Sequence, residues 1–162
     1  PGQTITAKGY DDVEFLISTN PGESLKPLSQ VASGGELSRI MLAIKTVLAG
    51  RDEIDTLIFD EIDTGISGRT AWKVAEQLSV LSGAHQVICI THLPQIAAMA
   101  DVHFVIEKSS TDDMTITDIR NVADEESLAE LARLLGSDAL TEAALSNAKE
   151  MKEQANAFKE AR

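Results

Sequence analysis

The sequence predicts an α/β fold, with a mainly parallel sheet flanked by helices and an N-terminal β-hairpin. In the middle of the chain, short apolar runs typical of buried strands alternate with segments whose apolar residues recur at helical spacing. This strand–helix–strand–helix order favours a parallel sheet with helices on its faces. At the start, two alternating segments around a polar turn indicate an antiparallel hairpin.

The composition limits the class of protein. A chain of 162 residues is long enough for one domain with a substantial core. Acidic residues outnumber basic ones 26 to 14, which gives a formal net charge of −12. Such a surface repels nucleic acid phosphates, and an aromatic content of 4% argues against a base-stacking platform. Any contact with DNA is therefore expected on a local patch or on another part of the protein.

The sequence also indicates a compartment. It contains neither a signal peptide pattern nor an apolar run near the roughly 20 residues that span a bilayer, so no membrane association is expected. The single cysteine, Cys89, lies in an apolar strand pattern and fits a reducing cytosol. Because the first residue is Pro1 rather than methionine, we expect a piece of a longer protein.

The predicted hairpin covers residues 4–18, with its turn at 8–12. Its second strand places three apolar residues on one face: Val13, Phe15 and Ile17. Asn20-Pro21-Gly22 is expected to end the hairpin, and a loop containing Pro27 to run to about Ala32.

The first helix is predicted to begin at Ser33-Gly34-Gly35-Glu36 and to stop near Gly50. Its inward residues are expected to be Leu37, Ile40, Met41, Ile44, Val47 and Leu48. A strand at Leu57–Asp60, buried on both faces, follows. A helix over Arg69–Ser82 comes next, with inward residues Ala71, Val74, Ala75, Leu78 and Leu81.

The second half of the chain continues the pattern. Val87–Thr91 is predicted to form a second buried strand, and Pro94 to begin a short helix. Two further strands are expected at His103–Lys108 and Met114–Val122, joined by a turn at Ser109–Asp113. A helix then begins with acidic residues at Asp124 and ends at Gly136, its apolar face formed by Leu128, Leu131, Leu134 and Leu135.

The last helix is predicted over Leu140–Arg162. Its apolar residues recur in steps of four and three: Ala144, Ala148, Met151, Ala155 and Phe158. A seam of two heptads composed mostly of alanine is too short for a free coiled coil. We expect it to dock on the domain.

The segment Leu57–Gly68 has the clearest chemical potential. Its strand ends in Asp60 and Glu61, at the edge where parallel sheets place their ligands. Asp60 suits a Mg²⁺ ion that keeps several waters, and Glu61 could polarise a water for attack on a phosphoryl group. The alternative is a solvated acidic turn.

Neighbouring residues could complete such a site. Asp63 and Thr64 could position the water or a neighbouring subunit, and His92 could donate to a terminal phosphate oxygen. His85 and His103 are expected to be structural. The acids and His92 could instead form a metal site, but they lack the spacing that identifies zinc.

Ser33-Gly34-Gly35-Glu36 allows two interpretations. Glycines at a helix N-terminus expose backbone N–H groups that bind phosphate oxygens. Alternatively, Ser33 and Glu36 form a capping box, which this stretch alone favours. The sequence has no Gly-x-x-x-x-Gly-Lys-Ser/Thr loop to grip β- and γ-phosphates.

Taken together, these motifs resemble the C-terminal lobe of an ABC-type head of the P-loop NTPase fold. The order matches the signature motif (Ser33–Glu36), the Walker B strand with its glutamate (Leu57–Glu61), the D-loop (Asp63) and the switch histidine (His92). Longer strings resemble the RecN family of bacterial SMC-related DNA repair proteins: Ala32–Lys45, Phe59–Gly68 and Thr91–Ala97.

The resemblance implies roles for individual residues. Asp60 would support Mg²⁺, Glu61 would be the general base and His92 would contact the γ-phosphate. Asp63 would lie at the dimer seam. The signature residues would bind ATP held by the other head: Ser33, Gly34, Gly35 and Glu36.

The resemblance also implies partners and a process. Residues 1–162 would form one C-terminal lobe, completed by an N-terminal lobe that carries the phosphate loop. Two heads would enclose ATP and Mg²⁺, and the full protein would act on DNA in double-strand break repair, in the bacterial cytoplasm at the nucleoid. Alone, the lobe is expected not to hydrolyse ATP. The alternatives are an SMC-like engagement module without hydrolysis of its own and a metal-dependent phosphohydrolase.

Overall fold

The computed structural model describes residues 7, 9–11, 13–18, 22–30, 33–51, 53–110, 115–136 and 140–162. The chain divides into two compact units, 1–33 and 34–162. In the smaller unit, β1 (Leu16–Ile17) pairs antiparallel with β2 (Lys26–Pro27). A 3₁₀ turn at Leu28–Gln30 follows.

The smaller unit differs from the sequence prediction. Most of the first strand of the predicted hairpin and both ends of its turn lie outside the described residues, as do Asn20 and Pro21. The predicted loop to Ala32 is wrong at Lys26–Pro27, which forms β2. Pro27 is compatible with a strand here because β2 belongs to a two-stranded pair, where a residue without N–H can face away from its partner.

The larger unit has the predicted α/β organisation. Its described helices are α1 (Gly34–Leu48), α2 (Gly68–Leu81), α3 (Pro94–Met99), α4 (Asp124–Leu134) and α5 (Glu142–Glu160). Its described strands are β3 (Thr56–Phe59), β4 (Gln86–Cys89), β5 (His103–Ser110) and β6 (Thr115–Val122). The predicted order of strands and helices is therefore confirmed.

The parallel part of the fold is the pair β3–β4, in register from Thr56 opposite Gln86 to Phe59 opposite Cys89. The prediction that these strands are buried on both faces is wrong. Leu57 and Phe59 are buried, whereas Ile58 is 68% exposed. The helices that form the core cover only the face carrying Leu57 and Phe59.

The two C-terminal strands form an antiparallel hairpin, from His103 opposite Val122 to Ser110 opposite Thr115. Most of their predicted turn lies outside the described residues. Val105 and Val122 are buried at the base of the hairpin. The strands farther out are largely exposed, so the hairpin is held mainly at its base.

The helices differ in how closely they follow their predicted faces. All five predicted inward residues of α2 are buried. On α1, by contrast, Leu42 is buried while Leu37, Met41, Val47 and Leu48 are exposed, so the predicted face of that helix is wrong. Helix α1 packs mainly on α2, and that contact covers a narrow arc centred on Leu42 rather than the whole apolar stripe.

The last helix docks on the domain, as predicted. Ala148, Met151 and Ala155 are buried against α3 and α4. Lys152 Nζ donates to the carbonyls of Ala98 and Ala100, each at 3.0 Å, at the end of α3. Burial is the main cause that lowers the pKa of Lys152. None of the described helices combines the length and the hydrophobicity that a membrane span requires.

We predict that Ala155→Leu destabilises the chain by about 1–3 kcal/mol, because Ala155 is fully buried in a close helix contact and a larger side chain overpacks it. Ala157→Leu, on the exposed side of α5, is the matched control and should change the melting temperature little. Thermal unfolding followed by circular dichroism measures both variants. Equal melting temperatures would contradict the docked position of α5.

Candidate functional site

The candidate site is built around the turn that follows β3. Thr64 N–H donates to the Glu61 carbonyl at 3.0 Å, and Ile66 N–H donates to the Asp63 carbonyl at 3.3 Å. Ile62 is fully buried and anchors the turn in the core, whereas Asp60 and Glu61 are exposed. The turn therefore presents the two acids at the carboxyl end of β3.

A buried carboxylate ties this turn to the end of β4. Asp63 is only 4% exposed, and its Oδ2 accepts hydrogen bonds from Thr91 Oγ1 at 2.6 Å and His92 N–H at 2.9 Å. His92 Nδ1 also lies 2.9 Å from this oxygen, while the His92 side chain is 73% exposed. The structure thus brings Asp63 and His92 together and leaves the outer edge of the imidazole accessible.

The start of α1 lies against the same turn. A Cβ atom on Gly35 would lie 2.8 Å from the Glu61 carbonyl oxygen and 2.9 Å from Thr64 Cβ. A Cβ atom on Gly34 would collide with Oε2 of Glu61. The two glycines therefore permit a close approach of α1 to the turn, with the Glu61 carboxylate packed over Gly34.

Two residues that the sequence prediction missed hold this contact. Ser38 Oγ donates to the Asp60 carbonyl at 2.9 Å. Arg39 Nη1 donates to the carbonyls of Ile62 at 3.0 Å and Thr64 at 2.9 Å. The available signal was spacing, because Ser38 and Arg39 follow Gly34 and Gly35 by one helical turn and share their face.

The other predicted site residues are placed as follows. Asp60 accepts a hydrogen bond at Oδ1 from the N–H of Glu61, at 2.8 Å. Glu36 lies half-buried in the first turn of α1. Ser33 is the last residue of the smaller unit, 1–33.

The residues present fit one mode of metal binding. Among the described residues, no group of three or more His, Cys, Asp and Glu side chains is arranged to hold a metal ion. Asp60, however, is exposed at the end of β3 with one carboxylate oxygen bonded to a backbone N–H. A single carboxylate of this kind fits Mg²⁺, which keeps most of its waters and completes its shell with substrate oxygens.

Cys89 is the last residue of β4, and its thiol is unreactive. Burial, followed by the charges of Asp63 and Asp60, raises the pKa of the Cys89 thiol to about 12. A thiol with so high a pKa is protonated at neutral pH and is a poor nucleophile.

The two remaining histidines have structural contacts. His85 Nδ1 lies 2.7 Å from the Ile54 carbonyl, and His103 Nδ1 lies 3.0 Å from Ser127 Oγ. Burial lowers the pKa of His103. Both contacts agree with the structural role expected for these residues.

Comparison with known proteins decides the family. No protein-family model matches the chain. The chain is 49% identical over 151 residues to the DNA repair protein RecN of Halalkalibacterium halodurans, covering 93% of this chain and 27% of that protein. RecN of Bacillus subtilis is 48% identical over 155 residues, covering 96% and 27% of the two chains. RecN of Treponema pallidum is 54% identical over 143 residues, covering 88% and 25%.

This chain belongs to the RecN family. It spans about a quarter of the length of the RecN relatives it matches. A solved structure from work on ATP-driven dimerization and DNA-stimulated activation of SMC ATPases has a TM-score of 0.48 and 22% identity to it, covering 76% of this chain and 81% of that one.

Gly35→Ala should destabilise this RecN-family chain by about 1–3 kcal/mol, since the added Cβ meets a backbone oxygen and a packed side chain that cannot easily move. Gly34→Ala is the matched comparison. Its clash is with the end of the flexible Glu61 side chain, and alanine favours the helix, so its stability should stay within about 1 kcal/mol of the parent. Denaturant unfolding distinguishes the two. A larger loss in Gly34→Ala would contradict this geometry.

Cys89 should resist alkylation by iodoacetamide in the folded chain at pH 8. A pKa of about 12 instead of 9.0 leaves roughly a thousandfold less thiolate than in the unfolded chain. Because the folded pKa is raised, the stabilisation that Cys89 contributes is complete below pH 9 and is lost as the pH rises towards 12. Alkylation followed by mass spectrometry, with and without denaturant, measures the difference. Rapid labelling of the folded chain would refute it.

Proposed function

We propose that this chain is the C-terminal lobe of an ABC-type ATPase head in a RecN-like DNA repair protein. In this proposal it supplies the signature motif, Walker B strand, D-loop and switch histidine to a composite ATP site that forms when two heads dimerise. One observation carries the proposal: the turn at Asp60–Thr64 contacts both the first turns of α1 and the end of β4. Residues that are distant in the sequence thus form a single polar edge.

Each residue of that edge has a role in the proposal. Glu61 is the general base that takes a proton from the attacking water, and Asp60 holds Mg²⁺ through its exposed carboxylate. His92 donates to the γ-phosphate from the exposed edge of its ring. Asp63 orients His92 by binding its Nδ1 atom. In the proposal Asp63 also lies near the seam between the heads, although its carboxylate is occupied by hydrogen bonds within this chain.

The signature residues act on the other head. Helix α1 begins at the polar edge, and its N-terminal N–H groups would face the γ-phosphate of the ATP held opposite. The proposal assigns this contact to the signature residues Ser33, Gly34, Gly35 and Glu36. ATP supplies the phosphoryl group, and bound Mg²⁺ would offset the negative charge that develops on it.

The rest of the site comes from other parts of the full-length protein. The 162 residues contain no phosphate-gripping loop, so the proposal assigns that loop to an N-terminal lobe of the same protein. The uncovered face of the parallel strands, with Ile58, Ile88 and Ile90 exposed, is the surface proposed to receive this lobe. Parallel strands are normally covered on both faces.

The relatives support a role of the full-length protein in DNA repair. Proteins about half identical to this chain are DNA repair proteins. We assign the full-length protein to double-strand break repair by recombination, at the nucleoid in the bacterial cytoplasm. With a net charge of −12 on this lobe, DNA contacts are assigned mainly to other segments.

A second candidate is a head-engagement module that does not hydrolyse ATP. It is favoured by the position of the Glu61 carboxylate, which lies over Gly34 in this structure. For hydrolysis, Glu61 must turn away from α1 towards a water molecule. A module that only engages a second head would not need this movement.

Glu61→Gln in the full-length protein decides between these candidates. Glutamine keeps the shape but cannot accept the proton, so hydrolysis should fall by about 10²–10⁴-fold while ATP stays bound and head dimers persist. Phosphate release and size-exclusion chromatography with ATP measure the two effects. Glu150→Gln, exposed on α5, is the control and should behave like the parent. Hydrolysis that Glu61→Gln leaves unchanged would eliminate the assignment of the base.

The 162-residue chain provides a complementary test. Alone, it should turn over no ATP. Adding the separately produced remainder of the protein should restore activity that depends on Glu61. Turnover by the chain alone with Mg²⁺ or Mn²⁺ would instead favour the phosphohydrolase.

A further inference from the structure

Helix α1 contacts the turn around Glu61, residues 60–64, through three hydrogen bonds. The carbonyls of Asp60, Ile62 and Thr64 each accept a hydrogen bond from a side chain of α1, within 2.9–3.0 Å. Ser38 serves the first carbonyl, and a single nitrogen of Arg39 serves the other two. The backbone on both sides of Glu61 is therefore fixed by one helix.

Glu61 has a backbone conformation that needs such support. Its φ is 57°, in the left-handed region that residues with a side chain rarely adopt. Such conformations persist where the surroundings over-determine them. Because φ sets the direction of the Cα–Cβ bond, the same contacts determine where the Glu61 carboxylate can reach.

Gly35 makes room for this arrangement. A Cβ atom at residue 35 would lie 3.1 Å from Arg39 Nη1 as well as 2.8 Å from the Glu61 carbonyl. The missing side chain thus lets the guanidinium and the turn approach the same point on α1.

We propose that Arg39 is a positioning residue that holds Glu61 in place and couples the two composite ATP sites of a head dimer. This inference rests on the proposed function. There, α1 of one head closes the ATP site of the opposite head. Glu61 of the first head acts on the ATP that the first head itself holds. Arg39 joins α1 to the turn that carries Glu61. When α1 contacts the ATP of the opposite head, Arg39 therefore holds Glu61 in place for hydrolysis of the ATP in its own head.

The test uses the full-length protein with Arg39→Met and Arg39→Lys. Arg39→Met keeps much of the side-chain volume but donates no hydrogen bond. Its kcat should fall about 100-fold, the scale expected for a ~1 Å misplacement of a catalytic group. Its KM for ATP should stay within about twofold, since the phosphate grip lies elsewhere. The Hill coefficient for ATP should fall towards unity.

Arg39→Lys should recover most of the lost kcat and cooperativity, because one nitrogen serves both carbonyls and an ammonium group can do the same. Lys73→Met, an exposed cation on α2 paired with Glu76, is the matched control and should change neither quantity. If Arg39→Met fails to fold, Ser38→Ala removes one of the three hydrogen bonds with little change in volume. It should lower kcat and the Hill coefficient in the same direction.

Different results would overturn the role of Arg39 and the proposed function. Unchanged kcat and Hill coefficient in Arg39→Met would overturn the inference. The inference would also be overturned if kcat and the melting temperature both fell, and by similar amounts in Arg39→Met and Arg39→Lys. That result would mean that Arg39 acts only through packing. If Glu61→Gln also hydrolyses ATP normally, the proposed function fails. If Glu61→Gln is inactive while Arg39→Met is active, only the role of Arg39 fails.

Discussion

The geometry of the site depends on one buried carboxylate. Moving Asp63 out of water is costly unless its charge is compensated by hydrogen bonds. Thr91 and His92 provide that compensation through a hydroxyl, a backbone N–H and an imidazole nitrogen on one oxygen. Since these partners directly follow β4, the turn after β3 can lie in only one place relative to the end of β4. The exposed groups at this edge are positioned as a consequence.

A second constraint acts from the opposite side. Helix α1 binds three carbonyls of the turn, and Ile62 fills the core beneath it. The turn is thus held by a carboxylate towards β4, by hydrogen-bond donors from α1 and by an apolar anchor below. A segment held in three directions can keep Glu61 in the left-handed region, which a freely exposed turn would not.

The sequence was sufficient to predict which residues are buried on helices that pack along one side. The inward face of α2 and the seam of α5 were predicted residue by residue, because a helix that packs along one side shows this in its own periodicity. It was insufficient for β3, because periodicity identifies an apolar strand but not how many of its faces the fold covers. The sequence predicts burial for Ile58 and Phe59 alike, but in the structure only Phe59 is buried and Ile58 is exposed.

The candidate site shows the same limit. Asp60, Glu61 and His92 could be proposed as site residues from the sequence because charged or titratable groups at strand ends suggest a chemical role. Ser38 and Arg39 were missed because a serine and an arginine on a helix normally face solvent. Only the tertiary fold brings carbonyl groups within their reach. The burial of Asp63 depends on a hydrogen bond from Thr91, 28 residues away, to which the sequence analysis assigned no role.

The glycine pair at the start of α1 has two separate reasons to be glycine, and the structure distinguishes them. Gly35 is required within the chain, because any side chain would meet the backbone of the Glu61 turn. Its presence would therefore follow from packing even in a protein that binds no nucleotide. Gly34 is exposed and meets only the movable end of Glu61. Packing alone therefore gives Gly34 only a weak reason to be glycine. In the proposed function, Gly34 is the glycine whose missing side chain leaves room for the nucleotide of the opposite head.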